Sequence, residues 1–142
     1  MCIRDSLQGE RAEKKQAHWQ AVAISACEQC GRNTVPHIDA LQNLVAWLNS
    51  ELVNGLQSKN ETIGEIQAAV LSLHASTQSL SEWSASVQNK ACIVLNGPEG
   101  GLTDEEDALA RTKGFAAVNL GERVLRAETA ALAALAYFNV RG

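Results

Sequence analysis

The sequence predicts an α/β protein with a mostly parallel sheet and flanking helices. Two strand–loop–helix units follow one another in the C-terminal part, at residues 91–113 and 115–140, and this alternation is typical of parallel sheets. The first of these strands, residues 91–95, is apolar at every position, as expected for a strand covered on both faces. Each strand ends in a glycine-containing loop, which is where open α/β sheets bind ligands.

Two helices are predicted in the first third of the chain. Residues 1–8 show no periodicity and are interpreted as a non-native or disordered start. A helix is predicted from about Gln8 to Cys30, with Gly31 as the residue that ends it. A short extended piece over residues 34–38 follows. Asp39 is then predicted to cap a second helix, which carries on one side Leu41, Leu44, Val45 and Leu48.

The middle of the chain is predicted to hold one strand between two irregular segments. Residues 50–67 are polar and punctuated by Gly and Asn, which favours a loop. Residues 69–74 form a short, apolar, partly β-branched run that ends at His74 and predicts a strand. Residues 75–90 are rich in Ser and Gln, and we expect a surface turn there, held by Trp83.

In the last third of the chain, several sequence signals support each predicted element. Thr103 and Glu106 fit a capping box at the start of a helix. Acidic residues in its first turn and basic residues in its last complement the helix dipole: Asp104, Glu105, Arg111 and Lys113. Gly114 ends this helix. A strand over residues 115–120 and an Ala/Leu-rich helix over residues 127–140 complete the pattern.

Composition excludes several classes of protein. With 142 residues, 46% hydrophobic and 20% charged, the chain is expected to form one globular domain. It has no run of about 20 apolar residues and no secretory signal pattern, so we expect no membrane span and no export. A net charge of −4 gives no bulk attraction for nucleic acid. Any RNA contact would therefore need local basic patches or another domain.

The cysteines predict neither a metal site nor a redox site. Cys27 and Cys30 form a C-x-x-C, but the second pair that a structural zinc site needs is missing from the sequence. Both lie on one face of the first predicted helix, so we expect two buried, reduced thiols. Reduced thiols without an export signal indicate a cytoplasmic protein.

The first loop, residues 96–103, is predicted to disfavour phosphates. Its glycines, at 97, 100 and 101, match neither the dinucleotide fingerprint nor a phosphate loop. Four carboxylates around the following helix start would repel an anion: Glu99, Asp104, Glu105 and Glu106. A neutral or positively charged nucleoside suits such a loop better. The alternative is that the loop is only a tight strand-to-helix turn.

The second loop, residues 120–126, and the helix start behind it contain two arginines and two glutamates. Arg123 or Arg126 would either pair with Glu128 on a solvated helix start, for little energy, or place a fixed cation in the cleft. Val124 and Leu125 lie between the arginines. Their apolar side chains indicate partial burial and favour the cation in the cleft.

Residues 96–103 followed by residues 120–130 resemble the paired C-terminal motifs of the RsmE-type SPOUT methyltransferases. Residues 26–32, with Val35-Pro36 beyond them, are similar to a third segment of that family. The resemblance implies that residues 9–142 are a partial SPOUT domain with a C-terminal trefoil knot. It also implies that the N-terminal PUA-like domain, and the strand and helix that open the methyltransferase domain, are absent. Because Ala75 replaces the family's proline, no role is carried over to His74.

The resemblance further implies methylation of N3 of a uridine in small-subunit ribosomal RNA, with S-adenosylmethionine as the cofactor and a homodimer as the assembly. For catalysis we predict that Arg126 stabilises the anion on the uracil carbonyls and that Glu99 accepts the proton. The alternative for Glu99 is a carboxylate that only hydrogen-bonds its own loop. The residues implied to bind the cofactor are Leu73, Leu95, Asn96, Gly97, Pro98, Glu99, Gly100, Leu120, Gly121, Val124, Leu125, Arg126 and Thr129.

Two other functions stay open at this point. One is a non-catalytic dimerisation or RNA-contact module. The other is a dinucleotide-dependent enzyme, which the carboxylates at the helix start disfavour.

Overall fold

The computed structural model of the chain describes residues 9–55, 66–73, 77–87 and 91–141. The predicted irregular start at residues 1–8 and the strand end at His74 lie outside these ranges. The chain divides into two units, residues 1–44 and residues 45–142, which are described separately. Within the described ranges, no helix has the length and apolar character that a bilayer crossing requires.

The first unit consists of helix α1 (Glu10–Cys30) and the non-helical segment after it, residues 31–43, which we call the return segment. The predicted end of the helix is confirmed, because Gly31 adopts a left-handed conformation and the backbone N–H of Arg32 donates to the Cys27 carbonyl at 2.9 Å. The buried Cys27 thiol lies 3.7 Å from the Thr34 carbonyl. Cys30 is exposed and both thiols are free, so the expectation of two buried thiols is wrong for Cys30.

The predicted cap at Asp39 is also wrong, since helix α2 (Leu44–Leu48) begins five residues later. Two glutamines of α1 hold the return segment in an extended conformation. The Gln20 amide donates to the Pro36 carbonyl at 3.1 Å and accepts from the Ile38 N–H at 2.9 Å. Gln16 donates to the Ile38 carbonyl at 2.8 Å. These hydrogen bonds engage the backbone just before Asp39 in a non-helical arrangement.

The second unit contains a four-stranded parallel sheet in the order β2-β4-β1-β3. The strands are β1 (Gln67–Leu71), β2 (Gln78–Ser79), β3 (Cys92–Leu95) and β4 (Ala116–Asn119). In the register, Val70 lies opposite Leu95, and Leu71 lies opposite Val118. The three predicted strands and the α/β fold class are confirmed, although β1 begins two residues before the predicted start.

Two short elements correct the expectations for the middle of the chain. Helix α3 (Glu51–Gly55) occupies part of the predicted loop at residues 50–67, of which residues 56–65 lie outside the described ranges. Strand β2 and helix α4 (Leu80–Ser86) occupy most of residues 75–90, where a surface turn was predicted. A capping box starts α4, and the hydrogen bonds from Ser79 to the Glu82 carboxylate hold the pKa of Glu82 below its ordinary value.

The sheet and the last helices enclose the core. Trp83 is buried and meets the edge of Phe138, with ring centroids 6.1 Å apart. Val70 and Val118 are fully buried. Partial burial also raises the pKa of the Cys92 thiol, which favours its protonated form at neutral pH.

Helices α5 (Asp104–Thr112) and α6 (Ala127–Arg141) follow β3 and β4, as the sequence predicts. The buried Asp107 carboxylate accepts a salt bridge from Arg111 Nε at 2.6 Å. A second nitrogen of Arg111 lies 3.4 Å from the Ser72 hydroxyl, directly after β1. This pair therefore links α5 to the carboxyl end of a central strand.

Candidate functional site

A crevice of about 630 Å³, partly open to solvent, lies at the carboxyl ends of β1, β3 and β4. The first loop and the second loop form two of its walls. The residues after β1 contribute the third. Because parallel strands bring their carboxyl ends to one edge, three segments distant in sequence meet here.

The first loop is shaped by a close approach of its own backbone. A Cβ on Gly97 would lie 2.9 Å from the backbone nitrogen of Leu102, so only glycine fits without a shift. The Gly101 N–H donates to the Pro98 carbonyl at 2.8 Å and closes a tight turn. The loop then runs directly into α5.

The capping box predicted at α5 is confirmed. The Thr103 hydroxyl accepts from the Glu106 N–H at 3.2 Å, and the Glu106 carboxylate accepts from the Thr103 N–H at 2.8 Å. Two N–H groups that an anion would need at this helix start are therefore already bonded to side chains. Asp104 and Glu105 add negative charge in the same turn. The arrangement disfavours a phosphate at this position.

The second loop is held at its two ends. Gly121 has a φ of 109°, which other residues rarely adopt, and its N–H donates to the Asn119 side chain at 3.1 Å. At the other end, the Asn96 amide donates to the Ala127 carbonyl at 2.9 Å. This hydrogen bond joins the end of β3 to the start of α6 and so connects the two loops. Between these points Val124 is 73% exposed.

The structure brings most of the predicted cofactor-binding residues to the crevice. Nine of them line it: Leu73, Asn96, Gly97, Pro98, Glu99, Leu120, Gly121, Val124 and Leu125. Four others are outside the lining: Leu95, Gly100, Arg126 and Thr129. Leu95 is buried at the end of β3, whereas the other three are exposed.

Sequence reasoning missed eight lining residues, which are Leu71, Ser72, Gly101, Val118, Asn119, Arg123, Ala127 and Ala130. Several of them end a strand or begin α6 next to predicted residues, so exact element boundaries would have indicated them. Arg123 is the important case. Residue chemistry left open which arginine enters the cleft, and the resemblance assigned Arg126 to the cofactor site. The structure instead places Arg123, not Arg126, in the lining. The ion pairs recorded within the described ranges include neither arginine.

Among the described residues, no three His, Cys, Asp or Glu side chains are placed together as a metal ion would require.

The parallel sheet and the crevice at its carboxyl edge define an α/β ligand-binding domain. A family model described as an RNA methyltransferase domain matches residues 2–139. The chain belongs to this RNA methyltransferase domain family.

Individual relatives agree with this family. The chain is 34% identical over 130 residues to a ribosomal RNA small subunit methyltransferase E of Mycobacterium bovis, a match that covers 89% of this chain and 45% of the relative. A solved methyltransferase E of Neisseria gonorrhoeae, bound to S-adenosyl methionine, is 35% identical with a TM-score of 0.75, over 99% of this chain and 53% of that one. A Legionella pneumophila protein solved with bound cofactor SAM is 31% identical with a TM-score of 0.78, over 99% and 52%. The chain thus spans about half the length of these proteins.

Proposed function

We propose that this chain is the cofactor-binding part of an S-adenosylmethionine-dependent enzyme that methylates N3 of a uridine in small-subunit ribosomal RNA. The observation that carries the proposal is the crevice, because the two loops that form it are the segments that resemble the RsmE-type motifs. The names of the relatives support ribosomal RNA as the substrate. The two similar structures that contain S-adenosylmethionine support the cofactor.

The lining residues fit a positively charged nucleoside. Leu71, Leu120 and Leu125 offer apolar surface to a flat ring, and the glycine backbone of the first loop can approach the edge of that ring closely. The acidic start of α5 repels phosphates but tolerates a cation. When bound, S-adenosylmethionine supplies a methyl group on a sulfonium, which is a good leaving group.

The task of the protein is therefore to hold donor and acceptor in line. The first loop provides a fixed wall, since its own backbone contacts and the α5 capping box determine its shape. The hydrogen bond from Asn96 to Ala127 fixes the second loop against it. Both loops then present their backbone to the same ligand.

Two side chains are proposed for the chemistry on uracil. Removal of the N3 proton leaves negative charge on the uracil carbonyls, and Arg126 is proposed to stabilise it. This arginine is exposed and outside the crevice lining, which leaves it accessible to an acceptor base. Glu99 lies in the lining and is proposed to accept the proton. We expect Arg126→Ala to lower the turnover number far more than the affinity for S-adenosylmethionine, and an equal loss of both would contradict the assignment.

The assembly is proposed to be a cytoplasmic homodimer that contains the trefoil knot implied by the resemblance. Helix α6 exposes the apolar side chains of Leu132, Leu135 and Val140, of which Val140 is 89% exposed. A second copy of the chain would bury this surface. Sedimentation equilibrium tests this part of the proposal, because a monomer at micromolar concentration would contradict it.

The proposed function is tested by calorimetry on the full chain with S-adenosylmethionine, ATP and NAD as separate ligands. We expect binding of S-adenosylmethionine alone. Binding of ATP or NAD in its place would favour a dinucleotide-dependent enzyme. If the chain binds small-subunit ribosomal RNA but none of the three ligands, a non-catalytic RNA-contact module is correct.

The activity is tested with tritiated S-adenosylmethionine and unmethylated small-subunit ribosomal RNA. Nuclease digestion and mass spectrometry of the product should identify N3-methyluridine. Methyl transfer to another base, or to another atom of uracil, would overturn the proposed specificity.

A further inference from the structure

The two arginines of the second loop differ in their position relative to the crevice. Arg123 contributes to its lining, whereas Arg126, three residues further along the chain, does not. Both side chains belong to exposed residues. Residue chemistry alone gives no reason to separate them, since each is an arginine beside the same apolar pair, Val124 and Leu125. The resemblance implies a role for Arg126 only. Their different positions suggest different roles.

The charges in the crevice are few and of opposite sign. Among the described lining residues, Glu99 on the first loop and Arg123 on the second are the only charged side chains. The others are apolar, or are glycine, serine and asparagine. A ligand with a carboxylate therefore meets one cation in this lining, and that cation is Arg123.

The start of α5 does not compete for a carboxylate. Its Thr103 and Glu106 N–H groups are already bonded within the capping box, and acidic side chains fill its first turn. These two backbone donors are therefore occupied, and the first turn around them is negatively charged. An arginine guanidinium, in contrast, offers parallel N–H groups that match the two oxygens of a carboxylate.

We infer that Arg123 binds the α-carboxylate in the amino-acid part of the methyl donor, and that Arg126 is left to act on the acceptor base. This inference rests on the proposed function, because it assumes S-adenosylmethionine in the crevice. It assigns donor binding to one arginine and catalysis to the other, although they are only three residues apart. Arg123 is then a binding residue whose loss raises the dissociation constant of ligands that carry a carboxylate.

The test compares two thioether nucleosides that differ only in the amino-acid group. S-adenosylhomocysteine carries the carboxylate and the ammonium, whereas 5′-methylthioadenosine has neither. In calorimetry on the full chain, we expect Arg123→Ala to weaken binding of S-adenosylhomocysteine about tenfold, the effect of losing one charge-assisted contact. Binding of 5′-methylthioadenosine should stay unchanged. Arg123→Lys should keep part of the affinity, since it retains the charge but not the paired N–H groups.

Arg11→Ala, which removes the same charge from an exposed position of α1, is the matched control and should change neither affinity. If Arg123→Ala weakens both nucleosides equally, or neither, the assignment of Arg123 is overturned. If the unaltered chain binds neither nucleoside nor S-adenosylmethionine, the proposed function itself fails. These two failures are therefore distinguishable within one set of titrations.

Discussion

The two loops that form the crevice are stabilised in different ways. The first loop is fixed by contacts within itself and with the helix that follows, namely the close approach at Gly97, the turn closed by Gly101 and the box at Thr103. The second loop is held at its ends by Asn119 and Asn96. Its middle leaves Val124 largely exposed. One wall of the crevice is therefore determined by local sequence, and the other depends on what it contacts.

The site therefore combines one rigid wall, the first loop, with one adaptable wall, the second loop. A fixed wall can position a ligand without reorganisation, which favours affinity. A wall with exposed apolar surface gains stability only when something covers that surface. We therefore expect changes in the first loop to affect the free energy of unfolding, and changes in the middle of the second loop to affect ligand binding alone.

The largest effect is expected for Gly97→Ala. The new Cβ would lie 2.9 Å from a backbone nitrogen, so the loop must move rather than a flexible side chain. We expect a loss of about 1–3 kcal/mol in the free energy of unfolding and about tenfold or more in affinity for S-adenosylmethionine. Urea denaturation and calorimetry measure the two quantities.

Gly100→Ala is the matched control for this change. A Cβ at Gly100 meets nothing within 4 Å, so the free energy of unfolding should change by less than about 0.5 kcal/mol. Equal destabilisation by the two alanines would show that the close approach at Gly97 does not determine the loop.

A smaller effect is expected for Thr103→Ala, which removes the acceptor of the α5 capping box. Loss of such a cap costs about 1 kcal/mol, since the Glu106 N–H loses its partner. Thr103→Ser keeps the hydroxyl and should restore most of the stability. Thermal and urea denaturation of the unaltered chain and the two Thr103 variants measure these differences in the free energy of unfolding. Unchanged stability in the alanine variant would mean that the box does not hold the first loop.

Asn96→Ala should have a still smaller effect on stability. It removes the hydrogen bond that joins the loops, in a half-buried position, at a cost of about 0.5–1 kcal/mol. Hydrogen exchange should rise in the second loop and stay unchanged in α5, because only the second loop depends on this contact. Faster exchange in α5 would instead indicate that the two walls are one cooperative unit.

The elements that the sequence predicts correctly are those in which several local signals agree. The α5 region combines an apolar strand, a glycine turn, a capping box and charges that suit the helix dipole, and the structure contains each of these. Strand β2 and helix α4 were missed, although Ser79 and Glu82 form the same kind of box. A two-residue strand has no detectable period, and the Ser-rich composition favours a turn when considered without the cap.

Errors elsewhere come from contacts between distant residues. Asp39 has the right chemistry for a helix cap, but Gln16 and Gln20 hold the preceding backbone extended. Local propensity cannot indicate this. Likewise, the choice between Arg123 and Arg126 depends on the path of the second loop, which the two arginines and their apolar neighbours do not determine. The crevice and its Glu99 could be predicted from the strand ends and the first loop, but which arginine lines the crevice could not.

The smallest effect on the stability of the chain without ligand is expected for Val124→Ser. This variant also gives the sharpest contrast with the first loop, because it should change ligand affinity and not stability. Val124 is 73% exposed, so its replacement should change the free energy of unfolding by less than about 0.5 kcal/mol. If a bound nucleoside covers the side chain, the loss of its methyl groups should weaken that ligand about tenfold, which corresponds to about 1.4 kcal/mol of apolar burial. Val124→Thr keeps the shape and one methyl group, so its affinity for the nucleoside should lie between those of the unaltered chain and Val124→Ser. Denaturation and calorimetry on the same samples separate the two quantities, and a drop in stability without a drop in affinity would place Val124 in the fold rather than in the adaptable wall.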